Sequence, residues 1–332
     1  MLNLITPIYR NGLGLTALLL LTGIVVGSVT GYLAPNIATY ISDFMDPTLF
    51  VLIVLLFFTI RFNPIITDKR KLKFIAIAVI ANFVFVPLIG FAIASVFLNH
   101  YPLFMLGLMI YFMSPCTDWF LGFTRLCRGD TMLGAALMPI NMTLQLLLFP
   151  LFLYLFSQNI VELETGIITD TLLNWFIEPV LIALTARLAL KLVLNHDQIT
   201  RLLDKVNRLI PFIIALLIMQ IFAGNIDVLL GHIDVFIWML LAVFCFFVLT
   251  FMLSEFVSKR FSLPYSEHVL LTMTVAARNA PLMLAVTMVV LPSQPLIYAA
   301  IVIGMLLEFP HLTLLSHLLM RSSHSKTAER LA

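Results

Sequence analysis

Three residues that hydrocarbon disfavours stand within one short apolar stretch, at Pro115, Cys116 and Asp118. Proline removes a backbone hydrogen bond from a helix, and a thiol or a carboxylate loses its hydration on burial. A thiol at the start of a half-helix is a candidate ligand, because a helix N-terminus stabilises the thiolate form. The clustering predicts a binding site at a helix break, and Thr117 belongs to the same site.

A second set of polar residues interrupts a later apolar stretch, at Arg278, Asn279 and Pro281. A guanidinium near the bilayer centre is costly, so Arg278 is expected to face a cavity or a carboxylate. Asp118 and Glu308 are the carboxylates at comparable depth. Arg278 then either binds an anion or replaces a coupling cation, or it forms a structural ion pair between two broken helices. The sequence leaves these alternatives open.

The other polar groups in apolar stretches have structural explanations beside functional ones. Glu308 is flanked by apolar residues on both sides and is a candidate proton carrier. Asn141 lies within a span, where a hydrogen bond between helices is its default role. Cys127 lies eleven residues after Cys116, about 16 Å along a continuous helix, so these thiols cannot share one ligand. Cys245 is interpreted as packing.

The composition indicates which elements must position these groups. The 332 residues are 61% hydrophobic and 11% charged, with a mean hydropathy of +1.08, as in an integral membrane protein. The apolar runs continue for about twenty residues, which predicts membrane-spanning helices. Ten spans are predicted, at roughly residues 13–34, 44–62, 73–98, 102–127, 130–157, 171–193, 207–224, 235–256, 266–291 and 295–319.

The basic residues predict the orientation of these spans. Of the nineteen Lys and Arg residues, eighteen lie within or flank alternate connections or the termini, on one side of the predicted membrane; Arg278 is the exception. The opposite connections contain acidic residues and no Lys or Arg. Because basic residues are retained on the cytoplasmic side, both termini are expected in the cytoplasm of a cell whose inner (plasma) membrane holds the protein.

The polar segment from Ser157 to Asp170 divides the ten spans into two groups of five. Because five is odd, the two groups must cross the membrane in opposite orientations, which is the arrangement of an inverted repeat. The predicted units are residues 1–160 and 161–332, in one all-α polytopic membrane protein. The fourth span of each unit is broken in its middle. Corresponding broken helices predict a binding site near the midplane, where the two helices cross.

Several sequence patterns are absent from the chain. It contains no Walker A motif, no His-Glu-x-x-His pair and no glycine-rich dinucleotide turn. The protein is therefore not expected to be an enzyme. No cofactor, resident metal or nucleic-acid partner is expected either. Active transport by this chain would draw on an ion gradient or a partner subunit.

Several short motifs resemble those of a known family. They are Asn82-Phe-Val-Phe-Val-Pro87, Tyr101-Pro102, Pro115-Cys116, Arg128-Gly129-Asp130, Asn141 and Gly304-Met-Leu-Leu-Glu308-Phe-Pro310. In residues 82–141 and 274–312 the chain resembles arsenical-resistance permeases, of the bile acid/sodium symporter superfamily. The resemblance implies ten helices in two inverted repeats with crossed, broken helices 4 and 9. It also implies either arsenite extrusion or sodium-coupled uptake of organic anions, and it matches Cys116 to the thiol of the arsenite branch, where a soft ligand suits trivalent arsenic.

The chain also departs from both branches of this family. Thr274 stands where the sodium-coupled branch has an acidic residue before the helix 9 break. Phe120 and Leu121 replace small polar residues after the helix 4 break. Pro281 stands where the arsenite branch has an acidic residue, and Arg278 is expected in neither pattern.

The first functional hypothesis is a secondary active transporter of the arsenical-resistance type, an antiporter that extrudes arsenite or a related small oxyanion against proton entry. The alternative is a proton- or sodium-coupled organic anion symporter of the bile acid/sodium symporter type. A non-transporting membrane component, such as a sensor or an assembly subunit, is the third. Glu308 and Asp118 are the candidate coupling residues, and the candidate substrate-binding residues are Cys116, Thr117, Asp118, Asn141, Arg278 and Asn279.

Overall fold

The secondary structure is helical, apart from turns and one isolated backbone bridge, in the residues that the computed structural model describes: 5–59, 68–116, 119–157, 165–232 and 234–329. The helices in chain order are α1 (Ile5–Leu33), α2 (Pro35–Ser42), α3 (Met45–Thr59), α4 (Lys69–Ile80), a π-helical turn (Ala81–Phe85), α5 (Val86–Leu98), α6 (Pro102–Phe112), α7 (Trp119–Leu126), α8 (Thr131–Ser157), α9 (Thr165–Val193), α10 (His196–Leu230), α11 (Val235–Arg260), α12 (Tyr265–Ala276), α13 (Ala280–Val290) and α14 (Pro295–Glu329).

Five of these helical stretches are long and apolar enough to cross a membrane unaided, within the part of the chain that the structure describes. A sixth candidate is the pair of α2 and α3, whose axes are bent by 41° at a short break. The predicted multi-pass, all-helical membrane protein is thus confirmed in this form. The five stretches are Lys69–Leu98, Thr131–Phe156, Asp197–Leu230, Val235–Arg260 and Pro295–Arg321.

The two halves of the second broken helix lie at the centre of the protein. All eleven residues of α13 are buried, and so are nine of the twelve residues of α12. The surrounding helices bury one side and expose large apolar side chains on the other, which suits contact with lipid. A broken helix in this position has no lipid contact, so its open backbone groups are enclosed by protein.

The π-helical turn between α4 and α5 is explained by Pro87. A proline has no N–H to donate to the carbonyl four residues earlier, here that of Phe83, so the regular α-helical pattern is interrupted. The predicted span at 73–98 is therefore not a uniform α-helix. The turn contains Asn82, whose side chain is fully buried.

Helix α10 begins eleven residues before the span predicted at 207–224. Its start is capped by a bond from the Asn195 backbone N–H to the Gln198 side-chain oxygen, at 2.9 Å. The hydropathy pattern misses the first part of α10 because these residues are polar. The predicted end of the span, at residue 224, lies next to the kink of the helix at Asn225.

A row of glycines allows α1 and α10 to pack with their backbones in contact. Gly23, Gly27 and Gly31 are spaced four residues apart, so they lie on one face of α1. A Cβ atom at Gly23 or Gly31 would lie 2.6 Å from a carbonyl oxygen of α10, and one at Gly27 would meet the carbonyl oxygen of Met219 more closely still. Small residues at this spacing are a common packing surface between membrane helices.

We expect Gly27→Ala to lower the free energy of unfolding by about 1–3 kcal/mol, because the added methyl group must push two backbones apart. Gly231→Ala is the matched control, since a Cβ there would meet its nearest atom at an ordinary 3.4 Å. Chemical denaturation in detergent micelles measures both. Equal stability of the two variants would contradict the close packing of α1 on α10.

Candidate functional site

Two helix breaks meet at the centre of the protein. The first separates α6 from α7 and the second separates α12 from α13, as the sequence predicts. The backbone N–H of Cys116 donates to the carbonyl of Ala277 at 3.0 Å, and that of Asn279 donates to the carbonyl of Ser114 at 2.9 Å. These bonds form one antiparallel bridge, so each break satisfies part of the backbone of the other.

Proline and serine explain why the helices end at these positions. Pro115 cannot donate a hydrogen bond to continue α6, and the hydroxyl of Ser114 donates instead to the carbonyls of Tyr111 at 2.9 Å and Ile110 at 3.2 Å. Pro281 lies in the first turn of α13, where a proline is favoured because that N–H has no helical partner. Local sequence therefore sets both breaks.

The guanidinium of Arg278 binds the carbonyl ends of two half-helices. Its Nη1 donates to the carbonyl of Phe112 at 2.9 Å, in the last turn of α6. Its Nη2 donates to the carbonyls of Thr274 at 3.0 Å and Val275 at 2.5 Å, near the end of α12. Carbonyls in a last helical turn lack intrahelical donors and form the negative end of the helix dipole. The fully buried cation thus neutralises two such ends.

Aromatic rings enclose the same guanidinium. Its central carbon lies 5.6 Å from the centroid of the Phe246 ring, which is within the range of a cation–π contact. Phe246 stacks on Phe112 with their centroids 4.1 Å apart. The rings exclude water from the cation, which strengthens its bonds to the carbonyls.

Glu308 binds the opposite kind of backbone group. Its Oε1 accepts from the backbone N–H of Arg278 at 3.1 Å, just before α13 begins, and its Oε2 accepts from the hydroxyl of Tyr111 at 3.2 Å. Among the residues that the structure describes, the recorded ion pairs do not include Arg278. The ion pair with Glu308 that the sequence left open as one alternative is not formed by these side chains; the carboxylate binds the backbone N–H of Arg278 instead, because helix ends provide partners for both charges. Asp118, the other expected partner, and Thr117 lie outside the described residues.

A neutral polar cluster lies one helical turn from Arg278. The amide groups of Asn82 and Asn141 both donate to the hydroxyl oxygen of Thr274, at 3.1 and 3.3 Å. All three residues are fully buried. They join the π-helical turn, α8 and α12, which agrees with the helix-to-helix hydrogen bond expected of Asn141. The oxygens of the two amides have no hydrogen-bond partner among the described residues.

The three thiols lie in different surroundings. Cys116 is buried at the bridge between the two breaks, whereas Cys127 lies beyond the end of α7, with its sulfur 3.7 Å from the carbonyl oxygen of Ser316. Cys245 is partly exposed on α11. Within the described residues no group of three or more His, Cys, Asp or Glu side chains could hold a metal ion.

The structure therefore brings Cys116, Arg278, Asn279 and Glu308 together, with Asn141 beside them. Sequence reasoning missed Thr274 as the centre of the polar cluster and Tyr111 as a partner of Glu308. Thr274 lies four residues before Arg278, so helical spacing could have placed both on one face. The position of Tyr111, which is just before the break, gave no comparable signal.

An apolar cavity of about 230 Å³ lies between α3, α8 and α9. Arg187 contributes a positive charge to a lining that is otherwise uncharged. Helix α8 contributes residues to both the cavity and the polar cluster. Met142 and Thr143 line the cavity, and the preceding residue, Asn141, binds Thr274. The lining residues are Phe57, Pro139, Met142, Thr143, Leu146, Val180, Ala183, Leu184 and Arg187.

Buried broken helices with charges at their ends, in a multi-pass helical protein, are the architecture of a secondary transporter. The model of the Sodium Bile acid symporter family matches residues 46–232, which is more than half of the chain. The chain therefore belongs to the sodium bile acid symporter family. The predicted superfamily is confirmed, and the protein is a membrane transporter of this general type. A comparison with curated proteins found no match. The assignment to the arsenical-resistance branch stays a prediction.

We expect Glu308→Ala to lower the free energy of unfolding by about 2–5 kcal/mol, because two buried donors, the backbone N–H of Arg278 and the hydroxyl of Tyr111, lose their acceptor. Glu308→Gln keeps hydrogen-bonding atoms and should cost less. Tyr111→Phe is the control, because it removes one hydrogen bond and no charge, at about 1–3 kcal/mol. Denaturation in detergent ranks the three variants. An effect of Glu308→Ala no larger than that of Tyr111→Phe would mean that the bond from the Arg278 backbone N–H to the carboxylate does not contribute to stability.

Proposed function

We propose that this chain is a secondary active transporter, and not an enzyme, which carries an anionic substrate by alternating access around the two crossed breaks. The bridge between the breaks supports this proposal, because it links two helices at the place where such transporters bind substrate and coupling ion. One group of helices would move against the broken pair and expose the site to each side in turn. Proton entry at Glu308 is the proposed source of energy.

The order of the helices supports the proposed ten spans. Counting each broken or bent pair once, the spans are α1, α2 with α3, α4 with α5, α6 with α7, α8, α9, α10, α11, α12 with α13, and α14. The broken helix is the fourth of each group of five. This agrees with inverted repeats at residues 1–160 and 161–332. The bias of Lys and Arg supports cytoplasmic termini at the inner membrane.

An organic anion with an apolar body is the proposed substrate. The observation that favours it is the apolar cavity between α3, α8 and α9, with Arg187 in its lining. Binding sites for small organic molecules are apolar clefts in which a few polar or charged groups fix the orientation. An inorganic oxyanion would gain no binding energy from the apolar part of this lining. A small organic carboxylate or sulfonate would contact the apolar residues with its body and Arg187 with its charged group.

Uptake of carboxylates and sulfonates into proteoliposomes tests this substrate class. We expect saturable uptake of at least one amphipathic anion, and a KM that rises roughly ten- to hundredfold in Arg187→Ala, because a hydrogen bond to a charged group contributes about 1.5–3 kcal/mol. Arg187→Lys should retain most of the affinity. Arg201→Ala, an exposed position on α10, is the matched control. Equal effects of Arg187→Ala and Arg201→Ala would contradict binding in this cavity.

Arsenite extrusion is the second candidate, and the position of Cys116 favours it. The thiol is buried at the bridge, close to the start of α7, where a soft ligand could reach trivalent arsenic. Thr117, Asp118 and Asn279 would complete that site. The described residues that line the cavity include no cysteine, so this candidate uses the crossing and the first one uses the cavity.

Arsenite tolerance of cells that lack their own exporters tests the second candidate. If the chain extrudes arsenite, we expect the wild type to protect, Cys116→Ser to lose protection and Cys245→Ser to keep it. Arsenic content measured in the same cells separates efflux from an indirect effect. Equal protection by wild type and Cys116→Ser would exclude the thiol, and no protection by the wild type would exclude arsenite.

A further inference from the structure

The carbonyl groups that surround the Arg278 guanidinium form a cation site made of backbone. They belong to Phe112, Thr274 and Val275, and they come from the C-terminal turns of two different half-helices. Two helix dipoles direct their negative ends to this point. In secondary transporters with broken helices, unwound carbonyls and half-helix C-terminal ends are the groups that coordinate a coupling cation. Here a side chain of the protein occupies such a position.

We infer that Arg278 is a permanently tethered cation, which fills the position between α6 and α12 so that transport requires no sodium ion at the crossing. The inference rests on the proposed transport function and adds to it the nature of the coupling. Glu308 then provides a charge that can bind and release a proton, while the positive charge at the crossing stays fixed.

The contacts of the guanidinium favour this role over binding of the substrate anion. Both Nη atoms donate to carbonyls, and the side chain is fully buried against Phe246. An anion that replaced these bonds would leave two helix ends without a donor in a dry environment, and among the nitrogens of this guanidinium only Nε has no hydrogen-bond partner in the described residues. A tethered cation has the opposite preference, because its best partners are the carbonyls themselves.

Repulsion by Arg278 disfavours a sodium ion at the neighbouring polar cluster. Asn82, Asn141 and Thr274 present neutral oxygens, which can coordinate a cation, but no formal charge that would offset a second cation. The guanidinium lies against this cluster, because it donates to the carbonyl of Thr274 at 3.0 Å. The arrangement therefore provides one positive charge at the crossing, and the chain itself supplies it.

Thermal unfolding of the purified full-length protein tests the inference without any substrate. Melting temperatures are compared in sodium chloride, choline chloride and guanidinium chloride, all at equal concentrations far below denaturing ones. The wild type should show no difference between sodium and choline. Arg278→Ala should melt roughly 5–10 °C lower in choline, because three carbonyls lose their donor while the backbone N–H bound by Glu308 remains. Sodium or guanidinium should restore part of that loss.

Two further variants control for a general loss of packing. Arg278→Lys keeps the charge but not the planar fork, so it should have intermediate stability and show no response to sodium. Arg201→Ala removes an exposed arginine and should show neither a loss nor a rescue. If Arg278→Ala does not fold, the sodium responses of the wild type and of Arg278→Lys still test the inference. Stabilisation of either protein by sodium relative to choline would overturn the inference.

Flux separates a failure of this inference from a failure of the proposed function. Wild-type uptake in proteoliposomes should change less than twofold when choline replaces sodium, with the pH gradient held constant. Sodium-dependent uptake would overturn the tethered cation while leaving transport established. If Arg278→Ala lost the stabilisation that substrate anions give the wild type and gained none from cations, Arg278 would be a substrate ligand and the inference would be wrong.

Discussion

Helix ends enclosed in the interior of a membrane protein leave backbone groups that lipid cannot satisfy, and the centre of this protein is organised around that constraint. The breaks between α6 and α7 and between α12 and α13 satisfy part of their backbone through one bridge. Carbonyls at the ends of α6 and α12 accept hydrogen bonds from the guanidinium of Arg278. The backbone N–H of Arg278 donates to the carboxylate of Glu308. Each charge is stabilised by a helix end of opposite polarity, which makes its burial tolerable.

Close packing around the breaks holds these partners in register. A Cβ atom at Gly304 would lie 2.7 Å from the ring of Tyr111, and one at Gly107 would lie 2.5 Å from the carbonyl oxygen of Ile297. These glycines let α14 approach α6 closely enough for the Tyr111 hydroxyl to reach Glu308. Small side chains at the interface thus determine which polar groups can meet. The same principle joins α1 to α10, so the scaffold and the site depend on close backbone contact.

The sequence predicted those features that depend on local chemistry. Proline beside polar residues located both breaks, and continuous apolar runs located most of the helices. It did not predict the partners of Arg278, because three carbonyls converge there only once α6 and α12 are packed together. An ion pair with Glu308 or Asp118 was one of the alternatives that the sequence left open, because charge alone is visible in a sequence. The polar cluster around Thr274 was missed for the same reason, since its members are far apart in the chain.

A fixed cation at the crossing gives a physical account of the buried guanidinium of Arg278 and of its bond to the carbonyl of Thr274. The most direct test is an anomalous diffraction map from crystals soaked in thallium(I), a monovalent cation that scatters strongly. The account predicts no peak among the carbonyls of Phe112, Thr274 and Val275 in the wild type, and a peak there in Arg278→Ala. A peak among those carbonyls in the wild type would contradict it.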